Sequence, residues 1–248
     1  MELKVIGSSS KGNGYILKTS NKALFVECGV SSFEMLREIH FNTFNVSVAL
    51  ISHEHSDHSK DVHSLIENGI KVCCSLGTAK ALQIEKNVII AQDCKPITFD
   101  CFTVTPFKVE HDASEPMGFI IENSESGKIL FVTDTKTIPD FAMKQVYNNI
   151  LIECNYSLDK LKENVLNGVV NQHLAKRISQ SHLSLETCID TFLKMDLSKL
   201  INVVLIHSSD TNSERSFFID CIKRVVKPYT NIVLAKKNLS LKLNKQPF

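Results

Sequence analysis

His53-Glu54-His55-Ser56-Asp57-His58 sets four strong metal-ligand side chains within six residues. They follow an apolar run (Val46, Val48, Ala49, Leu50, Ile51) that has the composition of a buried strand. Imidazole and carboxylate together suit zinc, manganese or iron. Spacing this tight requires the ligands to splay from a turn at a strand end, because a regular helix or strand would scatter them. Four metal-competent groups crowded into one turn are poorly explained as packing.

A chain of 248 residues with 43% apolar content can bury a substantial core. One domain over 1–248 is expected, because Gly, Pro and Ser are too evenly spread to mark a linker and no repeat or low-complexity tract intervenes. No stretch approaches the ~18–20 apolar residues of a membrane span. The N-terminus, Met-Glu-Leu-Lys-Val-Ile-Gly, begins as a strand and lacks the layout of a signal peptide. The eight cysteines include no Cys-x-x-Cys pair, which points to reduced, mostly buried thiols in a cytoplasmic protein. Net charge near +1 says little about partners. From Cys221 to the end there are seven Lys or Arg and no acidic residue: a solvated basic tail, or a face that attracts phosphate-bearing substrates.

Strands are expected at 2–6, 14–19, 23–27 and 46–51. An amphipathic helix is expected near 32–40, with Phe33, Leu36, Arg37 and His40 marking its turns, and another at about 59–68, stopped by Asn68-Gly69. A strand near 71–74 leads to a helix capped by Thr78 and running to about 85. Strands follow at 97–99, 102–109, 117–122 and 128–133, then at 149–153, 201–206 and 230–234. Helices are expected at 158–165, 184–194 and 213–226. Strand-rich halves interleaved with surface helices give an α/β architecture, an αββα sandwich of two sheets packed face to face with helices outside.

A dinuclear site needs about six to eight protein donors. His111, Asp134 and His207 each terminate a run of β-branched and apolar residues, as His53 does, so four strands would point their C-terminal ends at one mouth. His182 precedes Leu183-Ser184-Leu185-Glu186, where Ser184 could cap a helix. With Lys176 and Arg177 nearby, this makes a pocket for an anionic group or, alternatively, a polar helix start. His40 reads as a favourable charge at a helix C-terminus, His63 as a helix residue either exposed or bordering the site, and His173 as part of a polar stretch. Gly7-Ser8-Ser9-Ser10-Lys11-Gly12-Asn13-Gly14 lacks the ending of a nucleotide P-loop and reads as a turn or as a loop lining the mouth.

On these residues the chain resembles the metallo-β-lactamase superfamily over nearly its whole length. The string 53–58 is similar to that superfamily's signature, and His111, Asp134 and His207 to its later ligand motifs. The nearest look-alike is the YycJ/WalJ-type branch. That likeness rests on Gly7 to Gly14, His111-Asp112-Ala113, Glu115-Pro116-Met117-Gly118, Thr133-Asp134-Thr135, Glu153-Cys154-Asn155-Tyr156 and His182-Leu183-Ser184. Ribonuclease Z-like phosphodiesterases are alike in layout. Glu27-Cys28-Gly29 stands where Asp-x-Gly is usual, Lys136 where Gly is common, and Ser181 and Leu185 where Gly and Asn flank His-Leu-Ser.

The resemblance implies the metallo-β-lactamase fold, with two mixed sheets, and two divalent metal ions, zinc with manganese as the alternative. His53, His55 and His111 would hold one ion and Asp57, His58 and His207 the other, with Asp134 bridging. A metal-bridging hydroxide would attack phosphorus. His182 would protonate the leaving oxygen or grip the phosphate. Ser184 and Arg177 would contact substrate, and Glu27 and Glu153 would orient ligand imidazoles.

Fold alone does not choose a substrate. The third motif lacks the His-x-Pro-Gly-His of thioesterase look-alikes, and the His182 region is similar to phosphodiesterase relatives. Only 22 residues separate His111 from Asp134, too few for the long arm of many ribonuclease Z proteins. The implied activity is a nuclease, DNA exonuclease-like. A small-molecule or cyclic-nucleotide phosphodiesterase comes next and a lactone or thioester hydrolase after it. The implied partner is a phosphodiester in nucleic acid or a nucleotide, with no membrane and with a homodimer left open.

Overall fold

Short runs rich in Val, Ile and Phe, separated by polar turns, form two seven-stranded sheets. In the computed structural model, which describes residues 1–246, the first sheet opens with β1 (Glu2–Gly7), β2 (Gly14–Lys18) and β3 (Ala23–Val26) antiparallel. It continues in parallel from β3 through β4 (Val46–Leu50), β5 (Val72–Cys74) and β6 (Val88–Ile90). The second sheet repeats the plan. β7 (Ile97–Phe99), β8 (Phe102–Lys108), β9 (Met117–Asn123) and β10 (Gly127–Val132) are antiparallel; β10, β11 (Asn149–Glu153), β12 (Asn202–Ile206) and β13 (Asn231–Leu234) are parallel. β14 (Ser240–Lys242) crosses back to pair antiparallel with β1. Pro247 and Phe248, the end of the span 1–248, lie outside the described residues.

Strand alternation sorts side chains into layers. Leu24, Val26, Val48 and Leu50 of the first sheet share one buried cluster with Phe119, Phe131, Leu151 and Val204 of the second, so the sheets pack face to face. Their neighbours Phe25, Ala49 and Ile51 pack instead under α1 (Ser32–Glu38), α3 (Val62–Glu67) and α4 (Leu76–Ala81); the short α2 (Ser56–Ser59) precedes α3. Leu130, Ile152 and Leu205 pack outward in the same way. Their cover is α5 (Asp140–Met143), α8 (Leu185–Lys194) and α9 (Arg215–Lys223), the last two carrying most of it, while α6 (Leu158–Leu166) and α7 (Gln172–Ser181) share a separate small cluster with Tyr156 and Val170. This is the αββα sandwich expected from the sequence.

Several boundaries differ. The helix expected at 59–68 breaks at Lys60–Asp61, because the Asp61 N–H donates to Cys28 O (3.0 Å) and its carboxylate accepts from Ser32 N (2.7 Å). Ser75, not Thr78, caps α4, and Thr78 N donates to it. In α1 the buried stripe is Met35, Leu36 and, just past its end, Ile39; Phe33 lies exposed against Phe41, and His40 falls beyond the helix in a left-handed turn. The eight cysteines are free, and Cys28, Cys73, Cys74, Cys154 and Cys188 are buried, but Cys94 and Cys101 are exposed. Among the described residues no helix is long and apolar enough to cross a membrane.

Candidate metal centre

β1, β3 and β4 run in one direction in the first sheet, as do β8, β10, β11 and β12 in the second, so the turns after them gather at one rim. The His string leaves β4 through Ser52, whose carbonyl accepts from Met117 N (3.0 Å) and whose Oγ meets His53 Nδ1 (2.8 Å). His55 sits at the N-cap of α2, and Asp57 and His58 follow on that short turn. Two other loops clamp its backbone: Asn13 N donates to Asp57 O (2.8 Å) and Cys28 N to His58 O (2.7 Å). Gly29 makes the clamp possible, since a Cβ there would stand 1.7 Å from Asp57 O.

Three acidic or imidazole residues just past strand ends adopt left-handed backbone: Glu27 (φ 63°), Asp134 (φ 44°) and His207 (φ 49°). Non-glycine residues rarely sit there, and such conformations persist where the surroundings over-determine them. His111 comes from the loop after β8, and its Nδ1 donates to Ser181 O at the end of α7 (2.8 Å), leaving Nε2 for the cluster.

The seven donors converge. Single ligand atoms of His53, His55, His111 and Asp134 lie within 4.8 Å of one another, and so do those of Asp57, His58, Asp134 and His207. Asp134 Oδ2 is 3.2 Å from His58 Nε2, 3.6 Å from His111 Nε2 and 3.7 Å from His53 Nε2. His207 Nε2 and His58 Nε2 are each 3.3 Å from Asp57 Oδ2. The residues fit divalent cations on two counts. The donor set is imidazole and carboxylate throughout. His53 Nε2 is buried with no hydrogen-bond partner among the described residues, a costly state that a cation relieves.

Two buried glutamates stand behind the donors. Glu153 accepts from Leu183 N (2.9 Å) and Thr135 N (3.3 Å); its Oε1 meets His207 Nδ1 (2.9 Å) and His182 Nδ1 (2.7 Å). Glu27 Oε1 stands 3.7 Å from His58 Nδ1, beyond hydrogen-bond reach, while its Oε2 accepts from Ser52 N (3.3 Å). Asp134, Glu153, His182 and His207 form a third group of possible ligands.

Burial holds His53 well below the ordinary imidazole pKa, helped by His58 beside it, and burial lowers His111 as well. For His58 and His207 burial pulls the same way, but Asp134 and Asp57, with Glu27 for His58 and Glu153 for His207, together outweigh it, and both are raised well above. Burial opposes the charges of Asp57 and Asp134, yet the same imidazoles hold both carboxyls low. His182 is raised because Glu153 and Asp134 together outweigh its burial. Carboxylates that draw protons onto His58 and His207 would draw a divalent cation in competition with them.

The donors open into a cavity of about 390 Å³. His55, Asp57, His111, Asp134, His182 and His207 line one part, and Arg177, Leu174, Ile178 and the 169–170 turn line another. His182 caps the C-terminus of α7, a helix that its polar composition concealed, two residues ahead of Ser184. Ser184 is buried, its hydroxyl occupied in capping α8 through Thr187 N (3.1 Å), and it does not line this cavity. Arg177 lines it while its Nε donates to Asp112 Oδ2 (3.0 Å). His63 lies on α3, His40 is exposed, and His173 borders a neighbouring cleft.

Sequence reasoning passed over Asn13 and Asp112. Asn13 Nδ2 is 3.2 Å from Asp57 O and 3.3 Å from His58 Nε2, and Tyr15 Oη donates to its Oδ1 (3.2 Å). Its signal was an Asn between two glycines in the 7–14 loop, which brings Ser10 to the cavity wall. Asp112 Oδ1 is 3.3 Å from His111 Nε2.

Comparison with known proteins gives the same frame. A family model described as a beta-lactamase superfamily domain matches residues 26–207, from the end of β3 to the last donor. Exodeoxyribonuclease YycJ of Bacillus anthracis is 28% identical over 239 residues, covering 81% of this chain and 89% of the relative. Exodeoxyribonuclease WalJ of Streptococcus pneumoniae is 27% identical over 223 residues, covering 84% and 82%. In structure, the metallo-beta-lactamase fold protein YhfI of Bacillus subtilis superposes with a TM-score of 0.76 at 16% identity, over 97% of this chain and 99% of that one. With this match and this fold, the chain belongs to the beta-lactamase superfamily and is a metal-dependent hydrolase of the metallo-β-lactamase fold.

Proposed function

We propose that the chain is one hydrolase domain that cleaves phosphodiesters in nucleic acid as a DNA exonuclease, with two divalent ions, zinc or manganese. His53, His55 and His111 would hold one ion, Asp57, His58 and His207 the other, with Asp134 reaching both. Bound there, the ions supply Lewis-acid polarisation of the phosphoryl group and activation of water.

His182 carries the reading. Its Nδ1 is fixed on Glu153 at 2.7 Å, the same carboxylate fixes His207, and the ring lines the cavity beside the donors. A phosphodiester needs a proton for its departing oxygen, and an imidazole anchored through one nitrogen can deliver it from the other. Arg177, at the cavity wall, offers a planar cation suited to a phosphate. The two exodeoxyribonuclease relatives support the same substrate class.

The test uses protein of measured metal content, loaded with zinc or with manganese, on end-labelled single- and double-stranded DNA. Progressive shortening from an end is the expected outcome. Cutting of mononucleotide-like diesters alone removes the nuclease reading and leaves a small-molecule or cyclic-nucleotide phosphodiesterase, which α7 and the 169–170 turn at the cavity wall favour. Turnover of neither removes both.

A further inference from the structure

Val169 and Leu174 are large apolar side chains left 61% and 44% exposed beside the donors. With Val170 and Ile178 they wall the same cavity as His111 and His207. All four lie in the α6–α7 cap or in the turn between its helices. The cap is fixed in place: Tyr156, Leu161 and Val170 make a small core of its own, against which Ile178 packs. Apolar atoms held at the mouth of a polar cavity stay hydrated until an apolar part of a ligand covers them. Several polar atoms across the cavity already bond within the protein. Asn155 Nδ2 donates to His207 O (2.9 Å), Ser209 Oγ accepts from Asn212 N (3.1 Å), and Asn212 Oδ1 accepts from Asn164 Nδ2 (2.7 Å).

We propose that the cap forms a nucleoside subsite, in which Val169, Leu174 and Ile178 pack against the base of the nucleotide whose phosphate lies among the donors. A ligand charged at one end and flat and apolar at the other matches both halves of the cavity. Because Val169, Leu174 and Ile178 carry no hydrogen-bonding side-chain group, their contact with the base is apolar and does not distinguish one base from another. The subsite rests on the phosphodiester reading. Its ligand chemistry, a nucleoside joined to a phosphate, is shared by a strand terminus and by a free cyclic nucleotide.

Zinc-loaded protein is titrated calorimetrically with a deoxynucleoside monophosphate and with deoxyribose 5-phosphate, which lacks the base. The same is done for the double variant Val169→Ser/Leu174→Ser, whose exposed positions spare the fold. The base is expected to tighten binding about tenfold in the parent and less than about twofold in the variant, with all four bases alike. Leu174→Met, which keeps the apolar contact, restores the gain. A base that adds nothing in the parent, or as much in the variant as in the parent, overturns the subsite. In parallel, KM is compared for an oligonucleotide with a normal or an abasic end and for a cyclic nucleotide. Base dependence in either substrate supports the subsite and identifies the source. Absence of any diester hydrolysis sinks the phosphodiester reading separately, because the titrations do not depend on turnover.

Discussion

The donors on the sheets and the side chains on the α6–α7 cap face one cavity but are anchored in opposite ways. His53, His58, Asp134 and His207 are almost wholly buried; His58 rides on α2, while the other three sit just past strand ends with their remaining polar atoms bonded. Two loops far from it in sequence clamp the His string. The cap rests on a three-residue core and on the Arg177–Asp112 pair, whose side chains are 63% and 44% exposed. Chemistry that depends on fixed distances belongs on the first kind of support, and recognition that must admit a substrate belongs on the second.

The largest effect that would test this contrast comes from Asp134→Ala. Its carboxylate lies within 3.7 Å of imidazole nitrogens from three other donors and within 2.8 Å of His207 Nδ1. Its loss removes the one group common to both ion sites, so hydrolysis should fall on the order of 10⁴-fold or more and bound metal should drop in elemental analysis. Full activity in this variant would separate the cluster from the chemistry altogether. His182→Ala is next. With no donor removed, metal content should hold while kcat falls by roughly 10²- to 10⁴-fold, the usual worth of a positioned acid. An unchanged kcat would strip His182 of its part.

Glu153→Gln should cost less, about 10- to 100-fold, because Glu153 acts only through the imidazoles it orients. It is a positioning residue, so its signature is a joint fall in kcat and in affinity for the metal. Glu153→Asp should recover part of both. A variant that lowers thermal stability alone would mark the carboxylate as structural.

The sequence made the metal rim legible and left the cap obscure, for a physical reason. A donor at the end of a strand advertises itself locally, since the strand is a run of β-branched and aromatic residues and the donor breaks it. This is how His53, His111, Asp134 and His207 could be read and then found together. The two-sheet sandwich followed from the same alternation. α7 carries only Leu174, Ala175 and Ile178 as apolar residues in ten, because most of its surface faces water or the cavity, and the periodic signal was too weak to register. Asn13 was equally hidden. Its role depends on a 44-residue separation from Asp57 that only the folded sheet closes. The break in the helix after the His string was likewise tertiary, since Cys28 and Ser32 draw Asp61 out of helical geometry.

The smallest predicted effect lies at the link between the two regions. Arg177 ties α7 to Asp112, the residue that follows the donor His111, and His111 itself donates to Ser181 at the other end of the same helical turn. Exposed ion pairs contribute about 0–1 kcal/mol, so Arg177→Met should shift the unfolding midpoint by little. Its effect should fall on KM, because the cap loses a tether and the cavity loses a cation suited to phosphate. A rise of about three- to tenfold for an oligonucleotide, with kcat within about twofold of the parent, is expected. Asp112→Asn frees the guanidinium while keeping its charge at the wall, so tether and charge separate. If both variants raise KM alike, the ion pair matters as a strut. If only Arg177→Met does, the arginine matters for the phosphate it meets, and the cap is held by its small core alone.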